Sequence, residues 1–263
     1  MGTIDIDEFS LSYDEYGDPA SPPLLIVHGL FGDSTTMAPL AERMSARMRV
    51  IAIDALGHGR SSHPADFSLA DQGRVVDGLI AALGYESAAV LGVSMGSYVA
   101  AQAAILQPAR VSKLVLVVSK ASGSGSSSAA YAERLGFDLS SATPEEALSF
   151  MSGALWSPRT PPERRERITA EQAGSQPALT AAERAAVERS LADFDLRPGL
   201  PSITAPTLVI SGRSDGLNPP ELGEELARHI PGARFEVYER SGHMLVGEET
   251  DRLVAELEAF LLD

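Results

Sequence analysis

Ser94, Asp215 and His243 are a serine, a carboxylate and an imidazole, the residue types that acyl transfer needs when the fold brings them together. Ser94 stands in Gly92-Val93-Ser94-Met95-Gly96, Asp215 in Gly212-Arg213-Ser214-Asp215-Gly216, and His243 in Ser241-Gly242-His243. A serine hydroxyl is a weak nucleophile until a base takes its proton. The imidazole that does so needs an acid on its other nitrogen to fix tautomer and orientation. Glycines on both sides of a serine suit a sharp, strained turn between strand and helix, which aims the hydroxyl away from the sheet. The competing role for Ser94 is a side-chain N-cap in an ordinary Gly-Ser turn. The apolar run 88–93 before it and the small-residue run 98–105 after it favour the nucleophile.

Other motifs fall into supporting roles. His28-Gly29-Leu30-Phe31-Gly32 closes the apolar run 24–27, where glycines let a main-chain N–H turn toward a ligand. The backbone amides of Leu30 and of Met95, the residue after the serine, are the expected oxyanion donors. His28 has no second ligand at metal spacing nearby, so it is assigned to holding the loop. Asp54, His58 and Ser61 share the stretch Asp54-Ala55-Leu56-Gly57-His58-Gly59-Arg60-Ser61, too close in sequence to converge as a second triad, and read as a tight turn. His229, near the end of a helical pattern, suits a helix C-terminus. Asp193 and Asp195 are reserve candidates for the acid.

The elements that must position these groups are legible as alternating patterns. Strand-length apolar runs occur at 24–28, 50–54, 88–93, 114–119, 207–211 and 234–238, nearly continuous in hydrophobicity, as in strands buried on both faces of a parallel sheet. Helix-like periodicity occupies 38–47, 69–83, 95–107, 220–229 and 248–262. The expected class is α/β, a mostly parallel sheet with helices on both faces and right-handed crossovers. Residues 3–13 predict an antiparallel edge hairpin.

The alternation stops between 120 and 200, which carries no strand signal. It opens on a low-complexity Gly/Ser stretch at 122–128 and continues with Thr143-Pro144-Glu145-Glu146, Thr160-Pro161-Pro162-Glu163 and Thr180-Ala181-Ala182-Glu183, all patterned as capping boxes. Three or four short helices are expected there, as a mobile lid over residues 121–200 inserted into a core formed by 1–120 and 201–263. Phe150 and Trp156 in the lid, with Phe31, Leu217 and Met244 beside the three motifs, are the expected walls of a substrate pocket. The bland alternative for Phe137, Phe150 and Trp156 is packing of lid helices against each other and the sheet.

Composition narrows the partners. A chain of 263 residues with 44% hydrophobic and 22% charged residues has the profile of one globular domain. A formal charge of -15 argues against binding a phosphate backbone, which is held by clustered Lys and Arg, so neither nucleic acid nor an anionic membrane is an expected partner. With no cysteine, disulfides, thiolate metal sites and a Cys nucleophile are excluded. The acidic start Met1-Gly2-Thr3-Ile4-Asp5-Ile6-Asp7-Glu8 lacks the pattern of a signal peptide, and a cytoplasmic location is expected.

Taken together, His28-Gly29, the 54–61 turn, the 92–96 elbow, Asp215 and His243 resemble, in order and over essentially the whole chain, the α/β-hydrolase superfamily. The order Ser, Asp, His is the one that superfamily uses. The resemblance implies a serine hydrolase, most similar to small carboxylesterases, acting on a small-molecule ester or lactone with no metal and no organic cofactor. Enol-lactone hydrolases, carbon–carbon bond hydrolases and cofactor-free perhydrolases share the motifs, and a sensor or receptor that keeps the triad is the alternative of another class. Serine rather than aspartate at position 94 argues against dehalogenase and epoxide hydrolase chemistry. Two departures stand out. Ser97 replaces a glycine common in relatives, which implies looser helix packing there, and Ser119-Lys120-Ala121 carries no carboxylate where some relatives place the acid, which favours Asp215.

Overall fold

The computed structural model describes residues 1–263 except Ser124 and Gln176. Strand β1 (Gly2–Ile6) turns back into β2 (Phe9–Tyr16), followed by β3 (Pro23–Val27), helix α1 (Ala38–Met44), β4 (Arg49–Ile53), α2 (Leu69–Ala82), β5 (Ala88–Val93), α3 (Met95–Leu106) and β6 (Val111–Val117). Two short strands, β7 (Ser122–Gly123) and β8 (Phe194–Asp195), bracket helices α4 (Ser127–Leu135), α5 (Pro144–Leu155), α6 (Pro162–Glu171) and α7 (Ala181–Ser190). The chain closes with β9 (Thr207–Gly212), α8 (Pro220–His229), β10 (Arg234–Tyr238), α9 (Leu245–Glu248) and α10 (Thr250–Leu261).

The main sheet has the order β1-β2-β4-β3-β5-β6-β9-β10. Within this sheet, among the described residues, only the pairs β1/β2 and β2/β4 are antiparallel. The opening hairpin therefore forms as expected, although of its two strands β1 alone lies at the edge, because β2 pairs onward with β4. Side chains of a strand alternate between faces, and both faces here are dry. In β3, Leu25 and Val27 pack with Val76 and Leu79 of α2 and Ala100 of α3, whereas Leu24 and Ile26 pack with Leu40 and Met44 of α1 and Leu253 and Leu257 of α10. All four strand residues are fully buried. Truncating Leu24, Leu25 or Ile26 to Ala removes packing worth about 2–5 kcal/mol.

Register aligns the motifs. Val27 at the end of β3 is level with Ile53 of β4 and Gly92 of β5, Val93 is level with Val117 of β6, and Val117 with Ile210 of β9. The residues that follow, His28, Asp54, Ser94 and Val118, thus leave the sheet along one carboxyl edge, where ligands of open parallel sheets bind.

The interval 120–200 differs from expectation in two places. Its neck is a strand pair, Ser122 with Asp195 and Gly123 with Phe194, extended by a Leu196 N–H bond to the Ala121 carbonyl at 2.9 Å. Each strand is two residues of Ser, Gly, Phe and Asp, so no apolar run announces it, and the pairing arises from the chain returning to its exit point. Capping boxes do start α5 at Thr143 and α7 at Thr180. Thr160 starts no helix: α6 is capped at Pro161, and the Thr160 hydroxyl instead donates to Glu248 at 2.5 Å.

Candidate active site

Ser94 joins β5 to α3 at φ +52°, a conformation that L residues avoid, and its own N–H donates to the Val117 carbonyl at 2.9 Å. Its side chain does not cap α3, which removes the competing N-cap role. The turn is possible because the residues two before and two after Ser94 carry no side chain. A Cβ on Gly92 would sit 2.1 Å from the Gly96 carbonyl oxygen, and one on Gly96 would sit 2.2 Å from the Val27 oxygen of β3. Ser97 does not loosen this packing. It is fully buried, and its hydroxyl lies between the Ser94 carbonyl and the Ser119 hydroxyl, 2.8 Å from the latter.

His243 Nε2 lies 3.0 Å from the Ser94 hydroxyl, and its Nδ1 lies 2.8 Å from Asp215 Oδ2. The other carboxylate oxygen, Oδ1, accepts the Leu217 N–H at 2.8 Å and the Asn218 N–H at 2.9 Å. Asp215 is thereby fixed from both sides with its side chain wholly buried, while Ser94 stays half-buried and open to a reactant. An imidazole whose Nδ1–H is held by a carboxylate presents a lone pair at Nε2 to the serine proton. Asp195, one reserve acid, is spent on an exposed pair with Arg197 at 2.8 Å.

The loop after β3 is shaped by two neutral histidines. The Ala55 N–H donates to His28 Nε2 at 3.1 Å, so the ring carries its proton on Nδ1 and donates it to the Gly29 carbonyl at 2.7 Å. In the same way the Phe31 N–H donates to His58 Nε2 at 3.2 Å, while His58 Nδ1 donates to the Leu56 carbonyl at 3.0 Å. Burial pushes the His58 pKa down to about 3, and His28 is lowered for the same reason, so both stay acceptors. Phe31 is held at φ +60°, and a Cβ on Gly29 would lie 3.7 Å from the Ser94 Cβ, so the loop runs directly over the serine. Neither the Leu30 nor the Met95 N–H has an acceptor within the protein among the described residues. Asp54, His58 and Ser61 do not form a second triad: the Asp54 carboxylate accepts from the Ser34 N–H at 2.7 Å and Arg60 Nε at 2.8 Å, and Ser61 donates to the Asp54 carbonyl at 2.6 Å. His229 ends α8 with Nδ1 on the Glu225 carbonyl at 2.8 Å.

The inserted helices are anchored to the loops that carry Asp215 and His243. From the end of α5, the Ala154 carbonyl accepts the Gly216 N–H at 2.9 Å and the Leu155 carbonyl accepts the Met244 N–H at 3.1 Å. Glu248, buried in α9, accepts the Gly242 N–H at 2.6 Å, the Ser157 N–H at 2.9 Å and the Thr160 hydroxyl. Of the expected pocket walls, Phe31, Leu217 and Met244 flank the site and are half-buried, with the Arg184 guanidinium 4.3 Å from the Phe31 ring. Phe150 belongs to an aromatic stack inside the insertion, 4.0 Å from Phe137 and 4.9 Å from Tyr131. Trp156 is buried and faces a groove between α5 and α6 lined by Leu148, Ser152, Pro162 and Arg165.

Several polar residues beside the site escaped the sequence reading. Asn218 donates from Nδ2 to the Tyr98 hydroxyl at 2.8 Å and to the Val118 carbonyl at 2.7 Å. Burial pushes the Tyr98 phenol far up, with the Asn218 amide and the Ser94 hydroxyl as polar neighbours. Asn218 had one signal, its place three residues after Asp215. Glu248 had none, since an acid in an amphipathic helix is ordinarily solvated.

Residues 22–250 match the family model described as the alpha/beta hydrolase fold. The chain is 30% identical over 247 residues, 90% of its length and 91% of the relative's, to a pimeloyl-[acyl-carrier protein] methyl ester esterase of Aliivibrio salmonicida. Among solved structures, the enol-lactonase of Burkholderia xenovorans superposes with a TM-score of 0.84 at 23% identity, covering 100% of both chains. A thermophilic esterase from Thermogutta terrifontis superposes with a TM-score of 0.79 at 27% identity, covering 97% of this chain and 93% of that one. No helix among the described residues is long and apolar enough to cross a membrane. With a family match across most of its length and the parallel sheet, elbow and motif order that the family requires, the chain belongs to the α/β-hydrolase fold family.

Proposed function

We propose that this protein hydrolyses carboxylic esters through a covalent acyl-enzyme formed on Ser94. The observation that carries the reading is the relay from Ser94 through His243 to Asp215, at 3.0 Å and 2.8 Å, built on a strained elbow. Ser94 attacks the ester carbonyl while His243 takes its proton, and Asp215 stabilises the imidazolium that forms. The negative charge that develops on the carbonyl oxygen is received by the Leu30 and Met95 N–H groups, whose freedom from internal acceptors suits an oxyanion hole. His243 then protonates the departing alcohol. Water attacks the acyl-enzyme by the same proton path in reverse and frees Ser94.

Residues 121–200 act, in this reading, as a lid whose α5 end is a fixed support for the Asp215 and His243 loops, so that opening involves other parts of the insertion. The relatives named as esterases, at 30% and 27% identity, support ester cleavage. The test is a panel of aryl esters, lactones and vinylogous diketones with wild type beside Ser94→Ala. Multiple turnovers on esters, abolished in Ser94→Ala, are the expected result. Preferential turnover of lactones or of diketones would reassign the substrate class, and a stall after one event per chain would indicate a receptor.

A further inference from the structure

Lys120, just past β6, is a cation without a counterion. Only 9% of the residue is exposed, and no carboxylate among the described residues pairs with it. Its ammonium donates to the Ser127 hydroxyl at 2.9 Å and lies 5.8 Å from the centres of the Tyr98 and Phe194 rings, which stack on each other. An ammonium has three donors, and one is used here. Ring faces attract a cation but do not replace water or a carboxylate, and burial accordingly lowers the Lys120 pKa. Such a group is costly to keep unless something pairs with it.

Its neighbours place it beside the candidate chemistry. Tyr98, whose ring it faces, lies one helical turn after Ser94 in α3 and has the Ser94 hydroxyl as a polar neighbour. Ser127, which it bonds, lies 3.4 Å from Asn218, and Asn218 is held by Asp215. The chain carries a formal charge of -15, so an anionic reactant meets overall repulsion and needs a local cation to be held at the site.

We propose that Lys120 is a specificity residue that receives a second, ionised carboxylate on the substrate, so that the preferred esters are half-esters and not neutral esters. This deepens the reading of Ser94 as an ester-cleaving nucleophile and rests on it. No proton or electron moves at Lys120. The ammonium offers its two remaining N–H donors to the carboxylate, which supplies the missing counter-charge.

The test compares monomethyl glutarate with dimethyl glutarate, which share a skeleton and differ in charge. Wild type should favour the half-ester in kcat/KM. In Lys120→Met that preference should fall at least tenfold, through KM, and Lys120→Arg should restore most of it. A wild type that hydrolyses these esters without favouring the half-ester overturns the proposal, as does a Lys120→Met preference equal to wild type, which is the outcome if Lys120 only ties α4 to the core. Calorimetric titration of glutarate into the Ser94→Ala protein reads the subsite without turnover. Binding that weakens at least tenfold in Ser94→Ala/Lys120→Met supports it, and absent or unchanged binding overturns it, even if neither ester is hydrolysed and the Ser94 reading itself has failed.

Discussion

Glu248 holds Gly242 by a 2.6 Å bond from the Gly242 N–H to its carboxylate, one residue before His243. The other oxygen of the same carboxylate takes the Ser157 N–H and the Thr160 hydroxyl, so one buried acid joins the His243 loop to the inserted helices. Replacing it with Gln turns an NH2 toward groups that themselves donate. Glu248→Gln should lose about 1–3 kcal/mol of stability, from buried donors left unsatisfied. It should also lower kcat more than it raises KM, because His243 loses its support. Thermal unfolding and steady-state kinetics on one preparation check both parts, and a variant with unchanged stability and kcat would deny Glu248 this role.

Asp215→Asn removes the acceptor for His243 Nδ1 while keeping the volume. The imidazole is then free to take the other tautomer, with its proton facing Ser94. The expected rate loss is about three to four orders of magnitude in kcat with an unchanged circular dichroism spectrum. Near-normal activity would move the acid role elsewhere; Asp195, already paired with exposed Arg197, is poorly placed to take it.

Phe150 stacks on Phe137 with an interplanar angle of 6°, which makes it part of the insertion's packing. Phe150→Ala should therefore cost stability, on the order of 3 kcal/mol. The ratio of rates on acetate, butyrate and octanoate esters should stay as in wild type. A shifted ratio would return Phe150 to the acyl pocket, since one methylene in such a pocket is worth ~1–3 kcal/mol.

Two buried groups set opposing pH dependences. Burial raises the Asp77 carboxyl from 3.8 to about 7, partly offset by Arg110, and neither of its oxygens has a hydrogen bond among the described residues. Between those values the unfolded chain has released this proton and the folded chain keeps it, so raising pH through that window withdraws stability. Asp77→Asn should thus gain more over wild type at pH 8 than at pH 5, a difference on the order of 1–3 kcal/mol. His58 acts in the other direction. Its pKa falls from 6.5 to about 3 on folding, so its stabilisation is full above 6.5 and is lost as pH drops toward 3. Denaturant midpoints across pH 4–8 for wild type and Asp77→Asn measure the first effect; equal gains at both pH values would contradict it.

The parallel strands and the elbow were legible because both announce themselves locally. Apolar runs such as 88–93 are strands wherever both faces are covered, and glycines at 92 and 96 are demanded by backbone contacts that the Gly-x-Ser-x-Gly spacing encodes. The order of Ser94, Asp215 and His243 carried the site as far as three side chains. What stayed hidden depends on tertiary return. The pairing of Ser122 with Asp195 has no pattern of its own, Thr160 imitates a capping box yet bonds a residue far along the chain, and Lys120 drew notice only as a missing carboxylate. Phe150 and Trp156 show the same limit, since an aromatic on an amphipathic helix looks alike whether it meets a substrate or another ring.

The central claim is that Ser94 is the activated nucleophile. The direct measurement is labelling of wild type with an organophosphonate, followed by intact mass and peptide mapping. One adduct per chain on the peptide holding Ser94, absent in Ser94→Ala and strongly slowed in His243→Ala, is the predicted result. An adduct on a serine of the 122–128 stretch, or labelling of Ser94 at an undiminished rate without His243, would contradict it.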